Sequence, residues 1–200
     1  MQVRQTGGLI TIIDHTDLQA ELPQVRFVCS PFEASLLQGQ TVHAVFKSPG
    51  LSPAQIQPLW QAAQQQGLWC GTELTLFAHA LTELAPEHGQ PKVLAITGTN
   101  GKTTVTALTT ALLQRCKVDV AMAGNIGPTL LDTLTQRMQT QLPQVWVLEL
   151  SSFQLNDAPG FEPSAATVLN LTQDHLDWHG DMAAYAQAKG HIFGAQTVRV

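Results

Sequence analysis

A short loop in the second half of the chain has the residue types that bind nucleotide phosphates. The loop follows a predicted strand and opens a predicted helix; its residues are Gly98, Thr99, Asn100, Gly101, Lys102, Thr103 and Thr104. Glycines let backbone N–H groups surround an anion, and a helix N-terminus adds partial positive charge. Lys102 is suited to contact the terminal phosphates, and the Thr103 hydroxyl to ligate Mg²⁺. Because Ile96 replaces the first glycine of the longer motif, a plain glycine turn beside an exposed lysine is the alternative.

A carboxylate near the end of an apolar strand is a second candidate. Glu149 stands in the segment 145–150. A buried carboxylate is costly unless it is paired or binds a metal, and parallel α/β sheets place ligands at the carboxyl ends of their strands. Glu149 is therefore a candidate metal ligand, with an exposed sheet edge as the alternative. Ser151 and Gln154 follow directly and supply polar groups to the same rim, or simply form a turn.

Two further candidates follow the next predicted strand. His175 comes shortly after the strand at 166–169, where a neutral imidazole can ligate a metal. His175 and His179 also form an H-x-x-x-H pair, but Gly180 interrupts the helix that zinc binding with this spacing requires. Lys189 lies on the last predicted helix, four residues after Tyr185. Taken alone, Lys189 is interpreted as a solvated lysine.

Alternating strands and helices position these residues. The pattern predicts strands at 9–13, 25–28, 42–46, 93–96, 118–121, 145–150, 166–169 and 197–200, and helices at 53–66, 72–84, 102–115, 129–138 and 182–193. Apolar strands alternating with helices predict an α/β fold with a parallel sheet covered on both faces. The turn residues of 86–91 predict a boundary between domains 1–90 and 91–200.

The order of the elements suggests that both domains are incomplete. Nucleotide-binding α/β units begin with a strand and a glycine turn, followed by a second strand that ends in an acid. Here the acid-ended strand, closed by Asp14, comes first, and a strand starts at 197–200. We therefore expect a truncated Rossmann-like N-terminal domain and an incomplete P-loop-type domain.

Composition narrows the class of protein. Of the 200 residues, 44% are hydrophobic and only 12% are charged, which excludes a solvated disordered chain. The net charge of −5 argues against nonspecific nucleic-acid binding, and no apolar stretch is long enough to span a membrane. The three cysteines, Cys29, Cys70 and Cys116, are isolated, which favours a reducing compartment. A cytoplasmic monomer is predicted.

These motifs together resemble the Mur ligases, the ATP-dependent amide ligases of peptidoglycan assembly. The matching strings are those at 98–104, 124–127, 148–155 and 170–177. The string at 149–155 is similar to the corresponding string of the member that joins D-glutamate to UDP-N-acetylmuramoyl-L-alanine. Ser48, Pro49 and Gly50 match a loop of the family's first domain. The resemblance covers nearly all of this chain but under half of the family's usual length. It implies that the third, amino-acid-binding domain is absent and that these residues alone are inactive.

The resemblance also implies roles for the candidate residues. ATP and Mg²⁺ are the implied cofactors, with Lys102 on the phosphates and Thr103 and Glu149 on one Mg²⁺. His175 and Lys189 serve a second metal, the lysine as a carbamate. The residues implied to lie near the UDP-linked substrate are Asn125, Ser151 and Gln154 at the sugar or pyrophosphate, and Asp14, Ser48, Pro49 and Gly50 at the uracil. His15 and Thr16 depart from the family's pattern after the acid.

Two other functions fit parts of the sequence. A folylpolyglutamate synthetase-like ligase has the same phosphate loop with another acceptor, and the string Ser151-Ser152-Phe153-Gln154 argues against it. A nucleotide-binding module without turnover fits the implied absence of an amino-acid domain. An assay of whether UDP-N-acetylmuramoyl-L-alanine or folate is consumed as acceptor distinguishes the two ligases.

Overall fold

The computed structural model describes residues 3–6, 9–12, 28, 30–39 and 41–200. The first two segments form an antiparallel hairpin of β1 (Val3–Thr6) and β2 (Leu9–Ile12). The strand predicted at 9–13 is therefore present, but it pairs antiparallel with its neighbour and not in a parallel sheet. Asp14, Cys29 and most of the strand predicted at 25–28 lie outside the described residues.

A small parallel unit follows. Strands β3 (Ala44–Phe46) and β4 (Trp69–Gly71) pair in parallel, and helix α1 (Pro53–Gln65) connects them. A 3₁₀ turn at Ala34–Leu37 packs against α1. Ser52 and Gln55 form a capping box at the start of α1, and the face that carries Ile56, Leu59 and Ala63 is buried.

Helix α2 (Glu73–His88) extends further than the sequence predicts. The predicted end of this helix at residue 84 is wrong, because the helix continues through Pro86 and ends where Gly89 adopts a φ of +76°. The proline removes one backbone hydrogen bond, and packing of the apolar face of α2 on the larger sheet offsets this cost. The apolar face of α2 packs in the core of the larger sheet, with the Phe77 ring 5.0 Å from that of Trp146. The division into 1–90 and 91–200 stays a prediction.

The larger sheet has five parallel strands in the order β6-β7-β5-β8-β9. The strands are β5 (Lys92–Thr97), β6 (Val120–Gly124), β7 (Val145–Glu149), β8 (Ala165–Val168) and β9 (Val198–Arg199). The helices are α3 (Lys102–Arg115), α4 (Leu130–Met138), α5 (Ser152–Asn156), α6 (Leu176–His179) and α7 (Met182–Gly190). This parallel sheet with its connecting helices confirms the predicted α/β class.

The topology of the larger sheet determines where a ligand can bind. Strand β5 is central, with β7 on one side and β8 on the other. Because all strands are parallel, the loops after β5, β6, β7 and β8 meet at one edge, which is where α/β sheets bind ligands. This edge is called the carboxyl edge below. Among the described residues, no helix combines the length and hydropathy needed to span a membrane.

Candidate functional site

The loop between β5 and α3 has the backbone geometry of an anion-binding turn. Gly98 has a φ of +156° and Gly101, the N-cap of α3, a φ of +82°. This φ of Gly98 favours glycine, and a Cβ there would also lie in tight contact, 3.1 Å from the Cβ of Leu169. The loop places the start of a 14-residue helix at the carboxyl edge. Backbone N–H groups at such a helix start are suited to bind phosphate.

The loop that follows β8 fixes the phosphate loop. The backbone N–H of Asn100 donates to Oδ1 of Asn170 at 2.9 Å, and Nδ2 of Asn170 donates to the carbonyl oxygen of Asn100 at 3.0 Å. Thr99 Oγ1 accepts from the backbone N–H of Thr172 at 3.0 Å. Two loops far apart in sequence are thus joined by reciprocal hydrogen bonds, which preorganise the turn.

Two lysines converge on the same turn. Lys102 Nζ donates to the carbonyl oxygens of Gly98 and Thr99 at 2.9 and 3.0 Å. Lys189 Nζ donates to the Gly98 carbonyl oxygen at 3.0 Å and to Thr97 Oγ1 at 3.3 Å. Lys189 is only 2% exposed, so the interpretation of a solvated lysine is wrong. Burial first, and the charge of Lys102 second, lower the Lys189 pKa to about 8, against the opposing effect of Asp174.

Helix α7 brings Lys189 to this position. Asp181 caps the helix by accepting from the backbone N–H of Ala184 at 2.8 Å. Tyr185 and Lys189 are four residues apart and therefore share one face. The Tyr185 hydroxyl is hydrogen-bonded to Thr99 Oγ1 at 3.0 Å, and its ring centroid is 4.8 Å from Lys189 Nζ. This face of α7 closes over the phosphate loop.

Glu149 is buried at the end of β7, with 3% exposure. Strand β7 pairs with β5 and β6, so the alternative of an exposed sheet edge is wrong. Asn125 Nδ2 donates to Glu149 Oε1 at 3.2 Å, and the Asn125 backbone N–H donates to the Glu149 carbonyl oxygen at 2.8 Å. The carboxylate therefore lies at the carboxyl edge with a single amide partner among the described side chains, which leaves oxygen lone pairs for a cation.

His175 lies at the same edge, in the loop after β8. It has a φ of 52° and is the N-cap of α6. Its Nε2 lies 3.4 Å from Asp174 Oδ2, its ring is 4.7 Å from that of Phe153, and its side chain is 46% exposed. Gly180 ends α6 directly after His179, whose Nε2 is hydrogen-bonded to Ser152 Oγ at 2.9 Å. The two histidines therefore have different partners.

Ser151 and Gln154 bond mainly to each other. They form a capping box at the start of α5, in which the backbone N–H and the hydroxyl of Ser151 donate to Gln154 Oε1 at 2.9 and 3.1 Å. Gln154 is buried. Ser48, Pro49 and Gly50 follow β3 in the small unit, with Ser48 and Gly50 exposed. Contact of these residues with a substrate stays a prediction, and Asp14 lies outside the described residues.

Several residues that complete the site do not stand out in the sequence. Thr97 Oγ1 donates to the Leu150 carbonyl oxygen at 2.7 Å and accepts from Lys189, linking β5, β7 and α7. Asn170 and Tyr185 fix the phosphate loop as described above. The sequence signals are that Tyr185 and Lys189 share a helical face and that Asn170 directly follows a strand and begins the matching string at 170–177. Their partners are 70 or more residues away in sequence and require the fold.

Comparison with known proteins shows the family to which the chain belongs. Residues 96–199 match the model of the Mur ligase middle domain, which is more than half of the chain. The chain belongs to the Mur ligase family, as the motifs predict. The matched region covers the phosphate loop, Glu149 and the loop after β8.

Two curated relatives show which members of the family this chain resembles. The UDP-N-acetylmuramoylalanine–D-glutamate ligase of Albidiferax ferrireducens is 60% identical over 198 residues, covering 94% of this chain and 39% of that protein. The enzyme of the same name from Paraburkholderia xenovorans is 55% identical over 186 residues, covering 92% of this chain and 36% of that protein. The chain thus spans less than two fifths of the length of these relatives.

Solved structures that align with this chain are more distant from it in sequence. A UDP-N-acetylmuramoyl-L-alanyl-D-glutamate–2,6-diaminopimelate ligase aligns with a TM-score of 0.48 at 20% identity, covering 82% of this chain and 45% of that one. Escherichia coli FolC in complex with DHPP and ADP aligns with a TM-score of 0.48 at 20% identity, covering 76% and 46%.

Proposed function

We propose that this chain supplies the ATP site and part of the UDP-substrate site of a ligase that joins D-glutamate to UDP-N-acetylmuramoyl-L-alanine. The observation that carries the proposal is the preorganised phosphate loop, on which Lys102 and Lys189 converge at the carboxyl edge. The relatives at 54–60% identity, which carry that enzyme's name, support the choice of substrates.

The proposed reaction has two steps. The alanine carboxylate of the UDP-linked substrate attacks the γ-phosphorus of ATP, forming an acyl phosphate and releasing ADP. The amine of D-glutamate then attacks the acyl carbon, loses a proton, and phosphate leaves as the amide forms. Negative charge accumulates on the transferring phosphoryl group, so preorganised cations there supply most of the catalysis. Lys102 is the residue of this chain proposed to neutralise that charge.

Two carbonyl oxygens of the phosphate loop accept hydrogen bonds from a lysine of the same motif. Lys102 Nζ bonds to two carbonyl oxygens of its own loop, at Gly98 and Thr99. A bound phosphate offers oxygens with a full negative charge, which form stronger hydrogen bonds with an ammonium group than neutral carbonyls do. Lys102 is therefore proposed to turn from the loop to the terminal phosphates when ATP binds. The N-terminus of α3, with its partial positive charge, is proposed to stabilise the remaining negative charge of the phosphates.

The donors at the carboxyl edge suit Mg²⁺. Glu149 offers carboxylate oxygens and Thr103 an exposed hydroxyl, both hard ligands. Within the described residues, no three His, Cys, Asp or Glu side chains converge into a metal cluster. Mg²⁺ tolerates this, since it keeps several waters and binds through few carboxylates together with phosphate oxygens. Bound there, Mg²⁺ would offset the charge of the reacting phosphates.

Lys189 and His175 are proposed to serve a second cation. An ammonium group repels a cation, whereas a carbamate can ligate one. Formation of the carbamate requires the neutral amine, which attacks CO₂ and releases a proton. With a pKa of about 8, roughly a tenth of the Lys189 amine is neutral at pH 7. His175 is accessible enough to present an imidazole nitrogen to the same edge.

The UDP-linked substrate is proposed to lie along the rest of the edge. Asn125, Ser151 and Gln154, which follow β6 and β7, are proposed to contact the sugar or pyrophosphate. Ser48, Pro49 and Gly50, together with Asp14, are proposed to lie near the uracil. The cytoplasmic location and the monomeric state remain predictions from the sequence.

A chimera tests the proposal. The segment of the Albidiferax ferrireducens ligase that aligns with this chain is replaced by these 200 residues, and amide formation is measured with D-glutamate. We expect ATP-dependent product from UDP-N-acetylmuramoyl-L-alanine and none from folate. Turnover of folate would favour the folylpolyglutamate synthetase-like alternative. A chimera that binds ATP but forms no amide would favour a nucleotide-binding module.

A further inference from the structure

A buried lysine joins the small unit to the carboxyl edge of the larger sheet. Lys47 directly follows β3, and its backbone N–H donates to the Gly71 carbonyl oxygen at 3.0 Å. Its side chain is only 2% exposed, and Nζ lies 2.7 Å from Asp157 Oδ2. Asp157 is the C-cap of α5, the helix that begins at the predicted substrate residues Ser151 and Gln154. The ion pair therefore spans 110 residues of sequence.

Two tryptophans complete the surroundings of this ammonium group. Nζ of Lys47 is 5.5 Å from the ring centroid of Trp60 on α1 and 5.9 Å from that of Trp178 on α6. Both distances are within the range of cation–π attraction. Nζ also lies 3.4 Å from the Leu51 carbonyl oxygen, at the end of its own loop. One cation thus contacts α1, α6, the end of α5 and the loop that contains Ser48, Pro49 and Gly50.

The acid of this pair is itself held in place. The carbonyl oxygen of Asp157 accepts from Thr75 Oγ1 at 3.3 Å, and Oδ2 accepts from Asn156 Nδ2 at 2.9 Å. A nearly fully buried ammonium group loses its hydration, so it must remain with a fixed anion and cannot move independently. The position of Asp157 therefore determines where Lys47, and the loop after it, can lie.

We propose that Lys47 is a positioning residue, whose ammonium group holds the loop at 48–50 in register with the ends of α5 and α6 at the carboxyl edge. This inference rests on the proposed function, in which that loop holds the UDP end of the substrate while the phosphate loop holds ATP. The alanine carboxylate must approach the γ-phosphate to within reacting distance, and small misplacements of bound reactants are costly in rate. Lys47 thereby fixes the distance between the loop that holds the UDP end and the phosphate loop that holds ATP.

Amide hydrogen exchange tests the positioning without any ligand. The reporters are the amides of Leu51, Trp178, His179 and Gly180, which are bonded to Ser48, His175, His175 and Leu176. Lys47→Met keeps the apolar stem and removes the charge, so we expect exchange at these amides to accelerate by about tenfold or more as the loop and α6 open locally. Arg137→Met is the matched control, because Arg137 forms an ion pair with Asp119 just before β6, at the opposite edge. We expect it to leave these four amides unchanged.

Ligand binding to the same 200-residue chain separates positioning from a purely structural contact. In Lys47→Met we expect the Kd for UDP-N-acetylmuramoyl-L-alanine to rise about tenfold and that for a nonhydrolysable ATP analogue to stay within about twofold, since only one site loses its preorganisation. Asp157→Asn should act in the same direction, and the double variant should be less than additive.

The outcomes distinguish this inference from the function on which it rests. A wild-type chain that does not bind the UDP ligand counts against the proposed function, while the exchange result still decides whether Lys47 orders the loop. Unchanged exchange in Lys47→Met overturns the positioning role even if the wild type binds both ligands. Equal losses of affinity for both ligands, or faster exchange without a loss for the UDP ligand, overturn it as well.

Discussion

Lys102 and Lys189 donate to the same acceptor, the carbonyl oxygen of Gly98, at 2.9 and 3.0 Å. One lysine starts the helix after the phosphate loop, and the other comes from the last helix, 87 residues later. Two like charges on one neutral oxygen repel each other, and this repulsion contributes to the lowered pKa of Lys189. The repulsion therefore favours the neutral amine of Lys189, the form that the proposed carbamate requires.

Lys102→Ala should remove most turnover of the chimera. The variant loses a preorganised charge at the phosphoryl group, so we expect the rate to fall by at least about 10²-fold. ATP consumption and amide formation, measured together, check this. Arg115→Ala, at the far end of the same helix, is the control and should keep the wild-type rate. Wild-type turnover of Lys102→Ala would contradict the assignment of the phosphate loop.

Glu149→Gln should shift the Mg²⁺ dependence of the same reaction. The substitution keeps the shape of the side chain and its contact with Asn125 but removes the charge, so much higher Mg²⁺ concentrations should be needed. A titration of rate against Mg²⁺ measures the effect. An unchanged titration with a lower melting temperature would show that Glu149 serves only the fold.

The sequence predicts the site best where the determinants are local. Helix α3 occupies the residues predicted for it, 102–115, because the glycine turn and the helix that it opens are encoded by consecutive residues. Strand β4 was missed, since its three residues, Trp69, Cys70 and Gly71, carry no alternation and gain their order from pairing with β3. The extension of α2 through Pro86 was missed because packing on the larger sheet outweighs a local breaker.

Burial of charged groups is the feature that local patterns could not predict. Lys189 resembles a solvated residue in sequence, yet the fold buries it against the phosphate loop, where Thr97 and Gly98 accept its hydrogen bonds. The burial of Lys47 could not be predicted from local sequence either, because its partner Asp157 lies 110 residues away. Such pairs depend on which loops meet at the carboxyl edge, and that is a property of strand order.

Gly124→Ala should destabilise the fold strongly. A Cβ at Gly124 would lie 2.1 Å from the Glu149 carbonyl oxygen, and its φ of +130° is unfavourable for any other residue. We expect the free energy of unfolding to fall by at least about 3 kcal/mol, since neither backbone can yield without breaking β6–β7 pairing. Gly127→Ala, in the same turn with no atom within 4 Å of its Cβ, is the control. Equal urea midpoints for the two variants would contradict the close packing of β6 and β7.

Lys189→Ala should inactivate the chimera in a way that small carboxylates can partly reverse. The substitution removes the proposed carbamate and leaves space, so acetate or formate can supply the missing oxygen ligand. Lys189→Arg should not be rescued, because its bulk and permanent charge fill the site. Rates with and without added acetate measure both variants. Full activity of Lys189→Ala in CO₂-depleted buffer would contradict the second-cation proposal.

Lys189 should also make stability depend on pH in a window set by its pKa. The folded-state pKa is about 8 and the ordinary value is 10.5, so between these pH values the unfolded chain binds more protons than the folded one. The free energy of unfolding therefore rises with pH across this window, by about 3 kcal/mol from this residue alone. Lys189→Met should lack this part of the rise, and urea titrations at pH 7 to 11 in CO₂-free buffer measure the difference. Parallel curves for wild type and Lys189→Met would mean that burial does not penalise the charged amine.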